Sequence, residues 1–154
     1  MLLQVLAAAL LIVFLWSLFR LAMGLRWAKL SREASQRAEE GRGRRVVAEI
    51  PLADDLLLFL EDAGGFHWGA QHAARNAIVG ARVMLNGGVI GSFVRGGASL
   101  PGPSAPEDYE SRERWEVVVY LEDGRALLVP CGSLREGVSR EIAMRVFEAV
   151  RAGG

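Results

Sequence analysis

The two histidines of this 154-residue chain, His67 and His72, are the first residues whose type could carry chemistry. Imidazoles serve as metal ligands and general bases. Metal-binding pairs on one helix stand three or four residues apart, and these stand five apart. On one strand an odd separation sends side chains to opposite faces. Neither geometry makes a metal site, so none is expected. Asp54-Asp55 offers two carboxylates for acid–base work. Adjacent residues diverge on a strand and do not stack on a helix, so a charged turn or helix start is expected instead. Cys131, the single cysteine, follows Pro130 with no nucleophile motif around it. It reads as a small buried hydrophobe. The glycines at 64–65, 87–88, 91 and 96–97 form neither Gly-x-Gly-x-x-Gly nor Gly-x4-Gly-Lys-Ser/Thr. Hairpin turns account for the first two pairs. No catalytic residue, cofactor or metal is expected, and the chain reads as a non-enzyme.

Aromatic residues offer a different kind of site. Phe66, Trp68, Tyr109 and Trp115 form a candidate interaction surface. Packing of two or more of Phe66, Trp68 and Trp115 in the core is the preferred reading, because buried aromatics dominate small cores.

The elements that must position these residues begin with an apolar N-terminus. From Leu2 to Phe19 only Gln4 and Ser17 are polar, and none is charged. Such a run makes about 27 Å of helix, near the hydrocarbon thickness of a bilayer. The expectation is a transmembrane helix over 1–24, with a cleaved signal peptide as the alternative. Arg20, Arg26, Lys29 and Arg32 flank it on the C-terminal side. The positive-inside rule then places the N-terminus outside and the rest in the cytoplasm, in an inner or cytoplasmic membrane. Residues 1–45 hold eight basic and three acidic side chains, and 46–154 hold ten basic and fifteen acidic. The whole chain is neutral, with 18 of each sign, which predicts no nucleic-acid partner. Residues 25–45 read as a basic helical stalk that ends in a glycine hinge at 40–45.

From Val46 the period changes to that of strands. Val46–Ile50 is a short β run closed by Pro51. Residues 52–62 fit a strand and also a helix, with Asp54 and Asp55 in its first turn. A strand over 56–61 would pair with 66–70. Ile78–Leu85 and Val89–Val94 flank Asn86-Gly87-Gly88, the strongest short hairpin signal. Residues 95–114 form a long loop rich in Gly and Pro. Trp115–Glu122 and Arg125–Cys131 flank Asp123-Gly124, with Trp115, Val117, Val119 and Leu121 on one face. A final helix follows Ser139, burying Ile142, Val146, Ala149 and Val150, with Phe147 at the margin.

The expected fold is thus α+β and mostly β. About seven antiparallel strands make a small barrel or sandwich over 46–151, closed by the C-terminal helix. This plan resembles a pleckstrin-homology-like (PH-like) domain. Tyr120-Leu-Glu-Asp-Gly-Arg-Ala-Leu-Leu-Val-Pro130 followed by Ser139-Arg-Glu-Ile-Ala-Met-Arg-Val-Phe147 is similar to the close of bacterial single-pass membrane members. Lipid-binding members carry a basic cluster between their first two strands. Here 50–55 reads Ile-Pro-Leu-Ala-Asp-Asp, so phosphoinositide binding is not implied. The resemblance implies a non-catalytic, membrane-anchored interaction or assembly module that presents its domain to a protein partner. The alternatives are an accessory subunit packing through its transmembrane helix and a small-ligand-binding β-barrel.

Overall fold

The computed structural model describes residues 2–52, 56–102, 114–133 and 138–153. Asp54, Asp55 and Tyr109 lie outside the described residues. The chain divides into two compact units, 1–42 and 43–154.

The first unit is one helix, α1, Leu2–Glu40. Its C-terminal part carries ion pairs at helical spacing. Glu33 pairs with Arg37 at 3.1 Å, and Glu39 pairs with Arg42 at 2.6 Å. Gly41 then donates to the Arg37 carbonyl at 2.9 Å, and Gly43 takes a φ of +76° that ends the helix.

The expected membrane span is corrected here. Among the described residues, no helix is long and apolar enough to cross a membrane. The expected single-pass topology and inner-membrane location fall with the span.

The second unit contains two antiparallel sheets and one helix. The first sheet runs in the order β1 (Arg45–Pro51), β2 (Leu56–Glu61), β3 (Gly65–Trp68), β4 (Gln71–Ala74). A short 3-10 turn, Arg75–Ala77, leads to the second sheet. Its order is β6 (Gly88–Val94), β5 (Ile78–Leu85), β7 (Arg114–Leu121), β8 (Ala126–Ser133). The helix α2, Ser139–Gly153, packs on β1, β5, β7 and β8. Among the described residues the fold therefore has eight strands in two four-stranded sheets, instead of about seven behind a membrane helix. The additional strand is β4. Its Gln-His-Ala-Ala sequence carries no β-branched residue and so no strand signal. Residues 56–61 are strand, which decides between the two readings of that stretch.

Local chemistry accounts for the turns. Asn86 and Gly87 take φ of +48° and +79°, the double positive that a two-residue type I′ hairpin requires. Gly124 supplies φ +85° after Leu121, while the Asp123 carboxylate accepts from the Arg125 amide at 2.9 Å. Gly69, at φ +55°, opens the two-residue turn between β3 and β4.

Phe59, Phe66, Ile50, Val83, Val117, Val119, Val129 and Val146 are fully buried. Each such apolar side chain contributes about 1.5–3 kcal/mol. On α2 the buried face is Ile142, Ala143, Val146, Phe147 and Val150. Phe147 is core and not margin, because its ring meets Phe93 edge to face at 5.8 Å. Ala143, not Ala149, completes the buried stripe.

Candidate functional site

Two features of the second unit carry polar chemistry or open surface. The first lies on the outer side of β3 and β4. Phe66 and Trp68 point into the core, so His67, between them, points outward. The two-residue turn after Trp68 reverses the chain and sets His72 directly opposite His67. Arg75 donates to the Gly64 carbonyl at 2.9 Å. Counting back from that hydrogen-bonded pair, His67 and His72 occupy a non-hydrogen-bonded position, where side chains approach most closely. Their rings stack at 4.4 Å with a 25° interplanar angle. The expected opposite-face placement is thereby corrected. The parity rule holds within one strand, and these residues sit on two.

Asp62, in the turn before β3, completes the cluster. Its Oδ1 accepts from the Gly64 and Gly65 amides at 2.8 and 2.9 Å. Its Oδ2 meets His67 Nε2 at 2.7 Å, and Arg44 Nε stands 3.7 Å away. Burial works to raise the Asp62 pKa, but the two amides and His67 outweigh it and hold the carboxyl below its usual range. Gly65 is required by close approach: a Cβ there would run into the Ala73 carbonyl.

Beside it, Glu61 binds Arg45 and Arg75 at once, the latter at 3.0 Å. Burial pushes its pKa up, and the two guanidiniums more than offset that. Arg75 also donates to the Asp62 carbonyl at 2.9 Å and lies over the Phe66 ring at 5.4 Å. Among the described residues, no three or more His, Cys, Asp or Glu side chains are grouped to hold a metal ion.

The second feature is the outer edge of β6. Among the described residues, nothing pairs with that edge. Gly88–Val94 contains no charge and no proline. Val89, Ile90 and Val94 are exposed at 41%, 56% and 44%. They are three of the seven exposed large apolar residues described in the second unit. The pairing with β5 shifts register between Val83 and Met84, leaving Ile90 as the extra residue of a bulge.

Of the aromatic residues singled out from sequence, the three that are described do not form a surface. Phe66, Trp68 and Trp115 are buried. Phe59 packs on Phe66 and Trp68 at 5.6 and 5.3 Å. Trp68 Nε1 donates to the Leu128 carbonyl at 3.0 Å, joining the two sheets. Trp115 Nε1 is buried, with no hydrogen-bond partner among the described residues. Arg20, Arg26 and Lys29 are exposed on α1. Arg20 lies 5.7 Å from the Trp16 ring, and Lys29 stands 4.0 Å from Glu33. Arg32 is on α1, at a position whose side chain is outside the described residues. Cys131 is fully buried, and burial pushes its thiol up to about 12.

Sequence reasoning missed the β6 edge and Asp62. The uncharged run Gly88–Val94 was a readable signal for the edge. The Asp62–His67 contact had no such signal, because it depends on how a turn closes. No family model matches the chain, and neither a curated protein nor a solved structure matches it.

Proposed function

We propose that this protein is a non-catalytic interaction module that binds a protein partner by strand addition along β6. The observation that carries this reading is the uncharged edge of Gly88–Val94, with Val89, Ile90 and Val94 exposed and no pairing strand among the described residues. An exposed edge offers a row of free amides and carbonyls, and proteins normally blunt it with Lys, Pro or cover. The bulge at Ile90 blunts this edge only locally. An extended segment from a partner would satisfy the β6 backbone, and apolar side chains on it would meet Val89, Ile90 and Val94. Main-chain hydrogen bonds supply affinity in this mode, and alternate side chains supply specificity. The fitting partner is therefore an extended β-prone segment carrying apolar residues at alternate positions.

The test compares the wild-type chain with an Ile90→Lys/Val94→Lys variant as bait in the source cells. Candidate partners are then re-purified with each form, and β6 amide exchange is measured in the complex. The expected result is a partner lost by the variant, with β6 amides protected on binding. A partner retained by the variant, with β6 amides still exchanging freely, overturns the proposal.

A further inference from the structure

The cluster on β3 and β4 has a use that strand addition at β6 does not involve. His67 and His72 are cross-strand partners on one face, with rings 4.4 Å apart. They are the only histidines in the chain. His67 is partly buried and held through Nε2 by Asp62, whose own position is set by two backbone amides. With Nε2 engaged as a donor to the carboxylate, the lone pair of His67 is on Nδ1. A carboxylate on the far nitrogen is the usual outer-shell support of a metal-bound imidazole. His72 is exposed, and no described residue hydrogen-bonds its ring.

We propose that His67 and His72 form a two-residue chelate for a late first-row divalent ion, Zn2+ or Cu2+, with Asp62 orienting His67. Metal–nitrogen bonds of about 2.1 Å let one ion join nitrogens about 3–4 Å apart. Rings at 4.4 Å reach that spacing by rotation about χ1 and χ2, and the exposed His72 is free to turn. Imidazole pairs suit Cu2+ and Zn2+, with Cu2+ the tighter. Water fills the remaining positions, since the protein supplies two ligands and the neighbouring Arg44 supplies none. The buried Cys131 does not compete, because its thiol stays protonated. Protons compete with the ion for imidazole nitrogen, so binding weakens in acid.

The experiment uses the full chain without an affinity tag, titrated with zinc chloride at pH 7.5 and followed by the imidazole carbon–proton NMR signals. Because the chain has two histidines, each signal is assignable by one substitution. The expected result is a 1:1 complex in which both imidazoles respond together. His72→Gln is expected to weaken binding by at least about tenfold, since the second ligand acts intramolecularly. Asp62→Asn is expected to keep 1:1 binding but weaken it and shift its pH profile, as an orienting residue should. His72 is exposed, so its substitution leaves the fold intact, which far-ultraviolet circular dichroism checks. Two imidazoles that respond at different zinc concentrations, or no response at 1 mM zinc, overturn the proposal. So does binding that His72→Gln leaves unchanged.

Discussion

Arg75 Nη1 donates to the Gly153 carbonyl at 3.2 Å, so the segment joining the two sheets holds the last turn of α2. The same guanidinium reaches Glu61 and the Asp62 carbonyl and covers Phe66. Arg75→Ala is expected to cost about 1–3 kcal/mol, the range for charge-assisted hydrogen bonds left without a partner. Urea denaturation measures it. A loss below about 0.5 kcal/mol, the scale of an ordinary surface change, would show that this contact does not hold the helix.

The two buried tryptophans provide a matched comparison. Trp68 Nε1 is hydrogen-bonded to Leu128, and Trp115 Nε1 has no partner among the described residues. Replacing each by Phe removes similar apolar volume. Trp68→Phe is expected to cost about 1 kcal/mol more than Trp115→Phe, because only the first breaks a hydrogen bond and orphans a carbonyl. Thermal or urea unfolding of the two variants gives the difference. Equal losses would contradict the assigned pairing.

Acid should destabilise the second unit through Glu61 and Asp62. Both carboxyls are held below their usual range in the folded state. A depressed folded pKa means that the unfolded chain takes up protons first as pH falls. The stabilisation is therefore complete above about pH 5 and is lost as pH falls through roughly 4 and below. Unfolding free energy measured from pH 7 to 3 should fall over that window. The fall should shrink in the Glu61→Gln/Asp62→Asn double variant, and an unchanged slope would refute the linkage.

Cys131 carries the opposite sign. Its folded pKa of about 12 lies above the value near 8.5 of an unfolded thiol. Its contribution is full below about pH 8.5 and is lost as pH rises toward 12. At pH 8 the native thiol should resist Ellman's reagent, and one equivalent should react in urea. Stoichiometric reaction of the native protein within minutes would show that the site is open.

Truncating the aromatic stack tests its role as core. Phe66→Ala is expected to cost about 3–5 kcal/mol, the range for a buried Phe. Loss of folding cooperativity in circular dichroism is the readout. A fully stable variant would restore Phe66 as a surface residue.

The sequence by itself determined the local turns. Asn86-Gly87 turns the chain with two positive φ values and Asp123-Gly124 with one, at Gly124, because few other residues accept positive φ, and that is a property of the residues themselves. The alternation of Trp115, Val117, Val119 and Leu121 likewise faces one buried side wherever the strand lies. Residues 52–62 were ambiguous because a run of leucines fits either period, and pairing with β1 and β3 decided for strand. The apolar N-terminal run suggested a span, yet among the described residues no helix is long and apolar enough to cross a membrane. Only the tertiary structure decided that His67 and His72 face each other, because an interstrand pair depends on register across a turn and not on spacing. It also decided that Phe66, Trp68 and Trp115 are core while Val89, Ile90 and Val94 are surface. Hydrophobicity describes what a side chain prefers, and the order of strands in a sheet decides which of them is left at the edge.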